Sequence, residues 1–222
     1  MGKTEEKPSR PEEHEAPDEA SQDEEGQNSD RDVVFASDGA GPLVQRDYWA
    51  IIEGSDWTPE RIIEKVRAEF PSFSPSELAD FSCAHLSAPL SLGDEMEINI
   101  KMSGLCHVRV VHHDERSFTL RTLDGHPEAG RITFGASHDK AGRLVFHIRS
   151  RARASSSLNY LGYELLGKGM QARVWITFIQ RVAEACGGRV EGKVQTHNQE
   201  VDATLADQGG IDTPTFVVKD GG

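Results

Sequence analysis

The chain has 222 residues and a formal net charge of −13, which is room for one domain of ordinary size with tails. Residues 1–40 hold 13 acids and 4 bases, so a net −9 sits there and about −4 on the rest; such a balance argues against a nucleic-acid-binding body, which needs a clustered cationic face, and no nucleic-acid partner is expected. No apolar run reaches the roughly 18–20 residues that span a bilayer, and the three scattered cysteines (Cys83, Cys106, Cys186) fit reduced thiols, with no disulfide framework, metal site or cofactor expected.

Residues 1–42 read as a disordered acidic tail, because their few apolar side chains cannot offset the entropy of ordering the backbone. Such a tail either solvates the protein or recruits a protein partner as an acidic arm. The Met1–Glu6 start lacks an apolar core, so it is not a secretory signal and a cytoplasmic location is expected.

The folded body is expected over residues 43–188. Asp47–Glu53 is aromatic and β-branched, a strand. Thr58 and Pro59 open a helix, one as cap and the other as a first residue with no N–H to lose. Ile62, Val66 and Phe70 form its buried stripe and Pro71 stops it. Ser74-Pro75-Ser76-Glu77 has capping-box spacing and predicts a second, short helix. A short strand follows over residues 81–86.

Met96, Ile98, Ile100 and Met102 then alternate with polar residues, the period of a half-buried strand. Further strands run through Cys106–Val110, Phe118–Leu120, Ile132–Ala136 and Leu144–Ser150, separated by short polar turns. A long helix closes the body. Its face runs through Leu161, Leu165, Ala172, Trp175, Ile179 and Val182, and Gly187-Gly188 ends it. Residues 189–222 read as a flexible polar tail. A meander with one apolar face needs a cover, and the last helix supplies it. The expected fold is α+β: a helix-grip domain with a seven-stranded antiparallel curved sheet, two short N-terminal helices and one long C-terminal helix.

The stretch Thr122-Leu123-Asp124-Gly125-His126-Pro127-Glu128-Ala129-Gly130 resembles the hallmark Thr-Leu-x-Gly-His-Pro-Glu-x-Gly of a domain-of-unknown-function family in the SRPBCC (START-like, helix-grip) superfamily. Val145–Arg151 resembles that family's later strand, and Gly93-Asp94 also fits. The chain departs from the pattern at Arg131-Ile132 and at Ala152. The resemblance implies a helix-grip fold and an apolar pocket, with no catalytic set to carry over.

Three functions are open at this level. The first is binding of a small apolar or amphipathic molecule between sheet and helix. Its lining would come from Met96, Ile98, Ile100 and Met102, with Phe118, Phe134 and Phe146 from later strands. Leu165, Met170 and Trp175 would face them from the helix, though a filled core would use the same residues. The second is an enzyme of the same pocket with His126 and Glu128 as acid/base pair; the plain alternative is that both satisfy backbone groups of a turn. The third is an interaction protein acting through its acidic arm. Arg149, Arg151 and Arg153 share one strand face, suited to carboxylate or phosphate or to pairing with Glu95 and Glu97 on a wet surface. Gly162, Gly167 and Gly169 would make room for a ligand beside the helix or allow close packing. Trp175 is expected to face Phe146.

Overall fold

The computed structural model describes residues 31–83, 89–101 and 103–206, with helix residues 157–168 described by their backbone. The acidic arm up to Asp30, Met102 and the Leu165 side chain lie outside the described residues, and Gly162 and Gly167 fall in the helix stretch described by its backbone alone.

Strand β1 (Ala40–Glu53) is longer than the sequence pattern suggested. Its alternation places Arg46, Tyr48, Ala50 and Ile52 on one face and Gln45, Asp47 and Trp49 on the other. It pairs antiparallel with β7 (Leu144–Ala154) along nearly its whole length, from Ala40 opposite Ala154 to Ile52 opposite Leu144. Strands β2 (Ala79–Ser82), β3 (Glu95–Ile100), β4 (Gly104–His113), β5 (Ser117–Thr122) and β6 (Glu128–His138) form the meander that leads into β7.

Two boundaries move from the expected ones. Residues 31–42 are part of the fold: Val33 bridges Leu123, and Ala36–Asp38 forms a 3-10 turn. Phe35 lies over the Arg121 guanidinium at 4.4 Å, and Ala36 packs with Leu43 and Ala206. The few apolar residues of this polar stretch suffice because the sheet presents a formed surface to them. At the other end, β8 (Arg189–Val190) and β9 (Gln195–Val201) both pair with β1, in a region expected as a flexible tail. Among the described residues the sheet therefore has nine strands, not seven. Strand β9 is mostly exposed, so its order comes from backbone pairing and leaves no apolar signature.

Helix α1 (Pro59–Ala68) starts as expected, with Thr58 Oγ1 accepting from the Arg61 N–H. Pro71 does not stop the helical run; it sits in the first turn of α2 (Phe70–Phe73) after a bend at Glu69. The helix expected from Ser74 is absent. The Ser74 hydroxyl donates to the Ala79 carbonyl at 2.6 Å, and the chain turns into β2, where Phe81 sits opposite Ile98.

Helix α3 (Ser157–Ala185) lies on the concave face, packed against β1 and β7. This is the helix-grip arrangement. Its core is a cluster of aromatic rings centred on Phe70, which meets Phe81, Phe134 and Phe178 each at 5.1 Å. The expected Trp175–Phe146 contact gives way to another. Phe146 stacks on Phe178, one turn further on, at 6.4 Å and 15°, and Trp175 meets Phe134 at 5.6 Å. Gly169 is exposed and a methyl there would touch nothing within 4 Å, which removes close packing as its reason.

A chain ending at Gly188 lacks β8 and β9 and bares the β1 edge to other strands. It is expected to lose cooperative unfolding or to associate, as read by thermal denaturation and light scattering. An unchanged midpoint and a monomer would show that these strands are dispensable.

Candidate functional site

The Thr122–Gly130 stretch turns β5 into β6. Gly125 has φ +85°, open to glycine at no steric cost. Gly130 has φ +153°, and a Cβ there would lie 2.2 Å from the Arg151 carbonyl oxygen, so the β6 backbone approaches β7 too closely for any side chain. The Thr122 hydroxyl accepts from the Gly130 N–H at 3.0 Å. The His126 ring is buried, and its Nδ1 accepts from the Glu128 N–H at 3.0 Å. Burial lowers its pKa and favours the neutral ring, against the pull of Glu128. His126 thus closes the turn, and no hydrogen bond joins its side chain to that of Glu128.

Glu128 points elsewhere. One carboxylate oxygen lies 3.3 Å from Arg46 Nη1, and the other accepts from Gln171 Nε2 at 3.0 Å. Arg46 is 4 % exposed. A strand, a turn-proximal residue and the closing helix thus converge on a buried ion pair inside the grip. Around it stand Tyr48, whose phenol is pushed up to about 12 by burial with Glu128 adding and Arg46 opposing, and Cys106, whose thiol is pushed to about 12 by burial and then by Glu128. Ser150 lies opposite Arg46 in register, and its hydroxyl is buried without a hydrogen-bond partner. Trp175 Nε1 is likewise buried without one.

Of the expected lining, Met96, Ile98, Phe118, Phe134, Phe146 and Trp175 belong to one buried apolar cluster, with Ile100 packed against it. Phe118 and Phe134 stack at 4.9 Å and 11°. Met170 is half-buried outside that cluster. The aromatic part of the interior is thus packed ring on ring, and its polar part lies along Arg46, Glu128 and Ser150. The sequence reading missed Arg46, Tyr48, Ser150 and Gln171. One signal existed: Arg46 shares the parity of Tyr48, Ala50 and Ile52, and Glu128 that of Ile132 and Phe134, so both are charges on apolar strand faces.

The arginine stripe lies on the opposite, convex face, but its partners are not Glu95 and Glu97. Asp47 Oδ1 accepts from Arg149 Nε and from His147 Nε2 at 2.9 Å, and Oδ2 from Gln45 Nε2 at 2.8 Å. Gln45 Oε1 in turn accepts from Arg151 Nε at 2.8 Å. Glu95 pairs with Arg109, and Glu97 lies near His107. Strand β1 had to sit beside β7 for this, an adjacency across about a hundred residues that no local pattern encodes. Burial alone would raise the Asp47 carboxyl; the bonds from His147, Arg149 and Gln45 and the Arg149 charge outweigh it and hold the pKa at about 2. Burial lowers the His147 pKa, which favours a neutral ring donating to Asp47. Among the described residues no group of three or more His, Cys, Asp or Glu is placed to hold a metal ion, and no helix is long and apolar enough to cross a membrane.

Two outcomes follow from these networks. Arg46→Met strands the Glu128 charge inside the grip and is expected to cost roughly 3–5 kcal/mol in urea unfolding, whereas Arg46→Met with Glu128→Leu recovers most of it; equal losses in both would show that the pair does not act as a unit. Asp47 has a folded pKa below its unfolded one, so its stabilisation is present above about pH 4 and is lost as pH falls toward about 2. The whole effect is about 2 kcal/mol. Between pH 5 and pH 3 the parent should lose about 1 kcal/mol more than Asp47→Asn; parallel pH profiles would contradict this.

A family described as a domain of unknown function (DUF1990) matches residues 58–183, more than half of the chain. No curated protein matches it significantly. Among solved structures, the chain is similar to a point mutant of Thalictrum flavum norcoclaurine synthase, at 9% identity over 66% of this chain and 98% of that one, with a TM-score of 0.46. It is similar to major latex-like protein 151 from Panax ginseng, at 16% identity over 65% and 98%, TM-score 0.41. A conserved protein from Geobacillus kaustophilus has 11% identity over 69% and 99%, TM-score 0.44. These are likenesses of fold alone, whereas the family match rests on the sequence: the chain belongs to the DUF1990 family.

Proposed function

We propose that the protein binds a small amphipathic molecule on the concave face, between the sheet and α3. The observation that supports this most is the polar cluster inside the grip: an Arg46–Glu128 pair held by Gln171, beside a Ser150 hydroxyl that is buried and has no hydrogen-bond partner. A buried ion pair is weak support for stability, since apolar residues of the same volume often serve as well. A polar head group that hydrogen-bonds to Ser150 and to the pair gives these groups a use. The ligand's apolar part would meet the edge of the aromatic cluster near Trp175. The site is accordingly smaller than the lining expected from strand alternation, because Phe118, Phe134 and Phe146 spend their surfaces on one another and on Phe70 and Phe178.

Acid/base catalysis by His126 and Glu128 has less behind it. The His126 Nδ1 is taken by backbone, and the Glu128 carboxylate by Arg46 and Gln171.

The test uses the uncharged dye Nile red, titrated onto the full chain and followed by its fluorescence. Saturable binding is expected, at least tenfold weaker in Ser150→Leu, with the thermal midpoint of that variant held or raised because a partnerless buried hydroxyl is removed. Mass spectrometry of small molecules released from the purified parent gives an independent reading. Absence of saturable binding, or equal binding in the variant, would overturn the proposal.

A further inference from the structure

A cavity of about 250 Å³ opens on the convex face between β7, β1 and β9, on the side of the sheet away from α3. Its polar wall is Arg149, Arg151, His147 and His197, and its apolar wall is Trp49, Val145, Val201 and Leu205. The one carboxylate in the wall, Asp47, is already bound by three donors, from Gln45, His147 and Arg149. Its charge is therefore spent within the wall and offers little repulsion to an incoming anion.

The two arginines are held in place. Arg149 is fixed through Nε by Asp47. Arg151 is fixed through Nε by Gln45 and through Nη1 by the Leu205 carbonyl at 2.8 Å. Burial and then repulsion from Arg149 both disfavour the charge on Arg151, although a guanidinium stays protonated. Arg151 also ends a row of like charges. Cross-strand register puts Arg109 opposite Arg121, Arg121 opposite Arg131, and Arg131 opposite Arg151. Like charges directly opposite one another are unfavourable, and the cavity lies at the β7 end of this row. Preoriented guanidinium groups beside a flat apolar wall suit a carboxylate or phosphate carried on a ring.

We propose that this convex cavity is a binding site for a small organic anion, separate from the concave site, with the anionic group on Arg149 and Arg151 and a flat apolar body along Trp49 and Val201. The site needs nothing from α3, so it stands or falls independently of the concave one.

The test is calorimetric titration of the full chain with 2-naphthoate, 2-naphthyl phosphate and the neutral 2-naphthylmethanol. One site per chain is expected, with at least one anion bound tenfold or more tighter than the alcohol and weakened by added salt. The stronger of the two anions tells carboxylate from phosphate. Arg151→Gln, which keeps a polar group beside Gln45, should weaken the anion at least fivefold, and Val201→Phe should weaken all three probes. Ser150→Leu should leave anion binding unchanged, as Arg151→Gln should leave Nile red binding unchanged. Equal binding of anions and alcohol, no effect of Arg151→Gln in a variant with the parent's thermal midpoint, or loss of anion binding in Ser150→Leu would each overturn the assignment.

Discussion

The pairing of β1 with β7 is the constraint on which both faces of the sheet depend. The meander from β2 to β7 could form from local hairpins alone, but the Arg46–Glu128 and the Asp47 networks need β1. On the concave side the pairing puts Arg46 opposite Ser150, from where its side chain reaches across β7 to Glu128 on β6. On the convex side it puts Asp47 opposite Arg149 and Gln45 opposite Arg151. A shift of one residue would exchange the faces, placing Asp47 against the rings and Tyr48 in the convex cavity. The same strand presents its other edge to β8 and β9, so its backbone is paired on both sides for much of its length.

The interior divides by chemistry. Toward α1, α2 and the second half of α3, aromatic rings meet at 4.9–6.5 Å and fill the space. Toward β1 and the start of β6 the lining turns polar, through Arg46, Glu128, Gln171 and Ser150. Filled aromatic packing provides stability through burial and ring contacts; a buried ion pair adds little of either. The two halves of the grip therefore differ: the aromatic half holds the helix on the sheet, and the polar half is where the proposed head group would sit.

The turn between β5 and β6 connects these halves. Gly125 makes the left-handed turn and Gly130 allows the close approach to β7. Thr122 and His126 bind the backbone on either side of Glu128. The effect is to hold the first residues of β6 in one geometry, which directs the Glu128 carboxylate inward. The unusual residues of the stretch thus position Glu128.

Local pattern was enough for much of this protein. Alternation in Met96–Ile100 and Leu144–Ser150, the Thr58-Pro59 helix start and the long apolar stripe ending at Gly187 specify strands, helices and their buried faces, because those periods follow from backbone geometry alone. They also placed Arg149 and Arg151 on the face opposite Phe146. What they could not give was partnership between distant segments. The pairing of Asp47 with Arg149 spans 102 residues and that of Gln45 with Arg151 spans 106, and neither leaves a trace in local spacing. Strand β9 is polar except at Val201, and it is held by hydrogen bonds to the β1 edge and by Val201 packing on the Leu43 cluster. Which aromatic ring faces Phe146 depended on how far α3 slides along the sheet, a packing choice between Trp175 and Phe178 that lie one turn apart on the same face. Sequence period thus determined which side chains are buried, and tertiary pairing decided which of them meet.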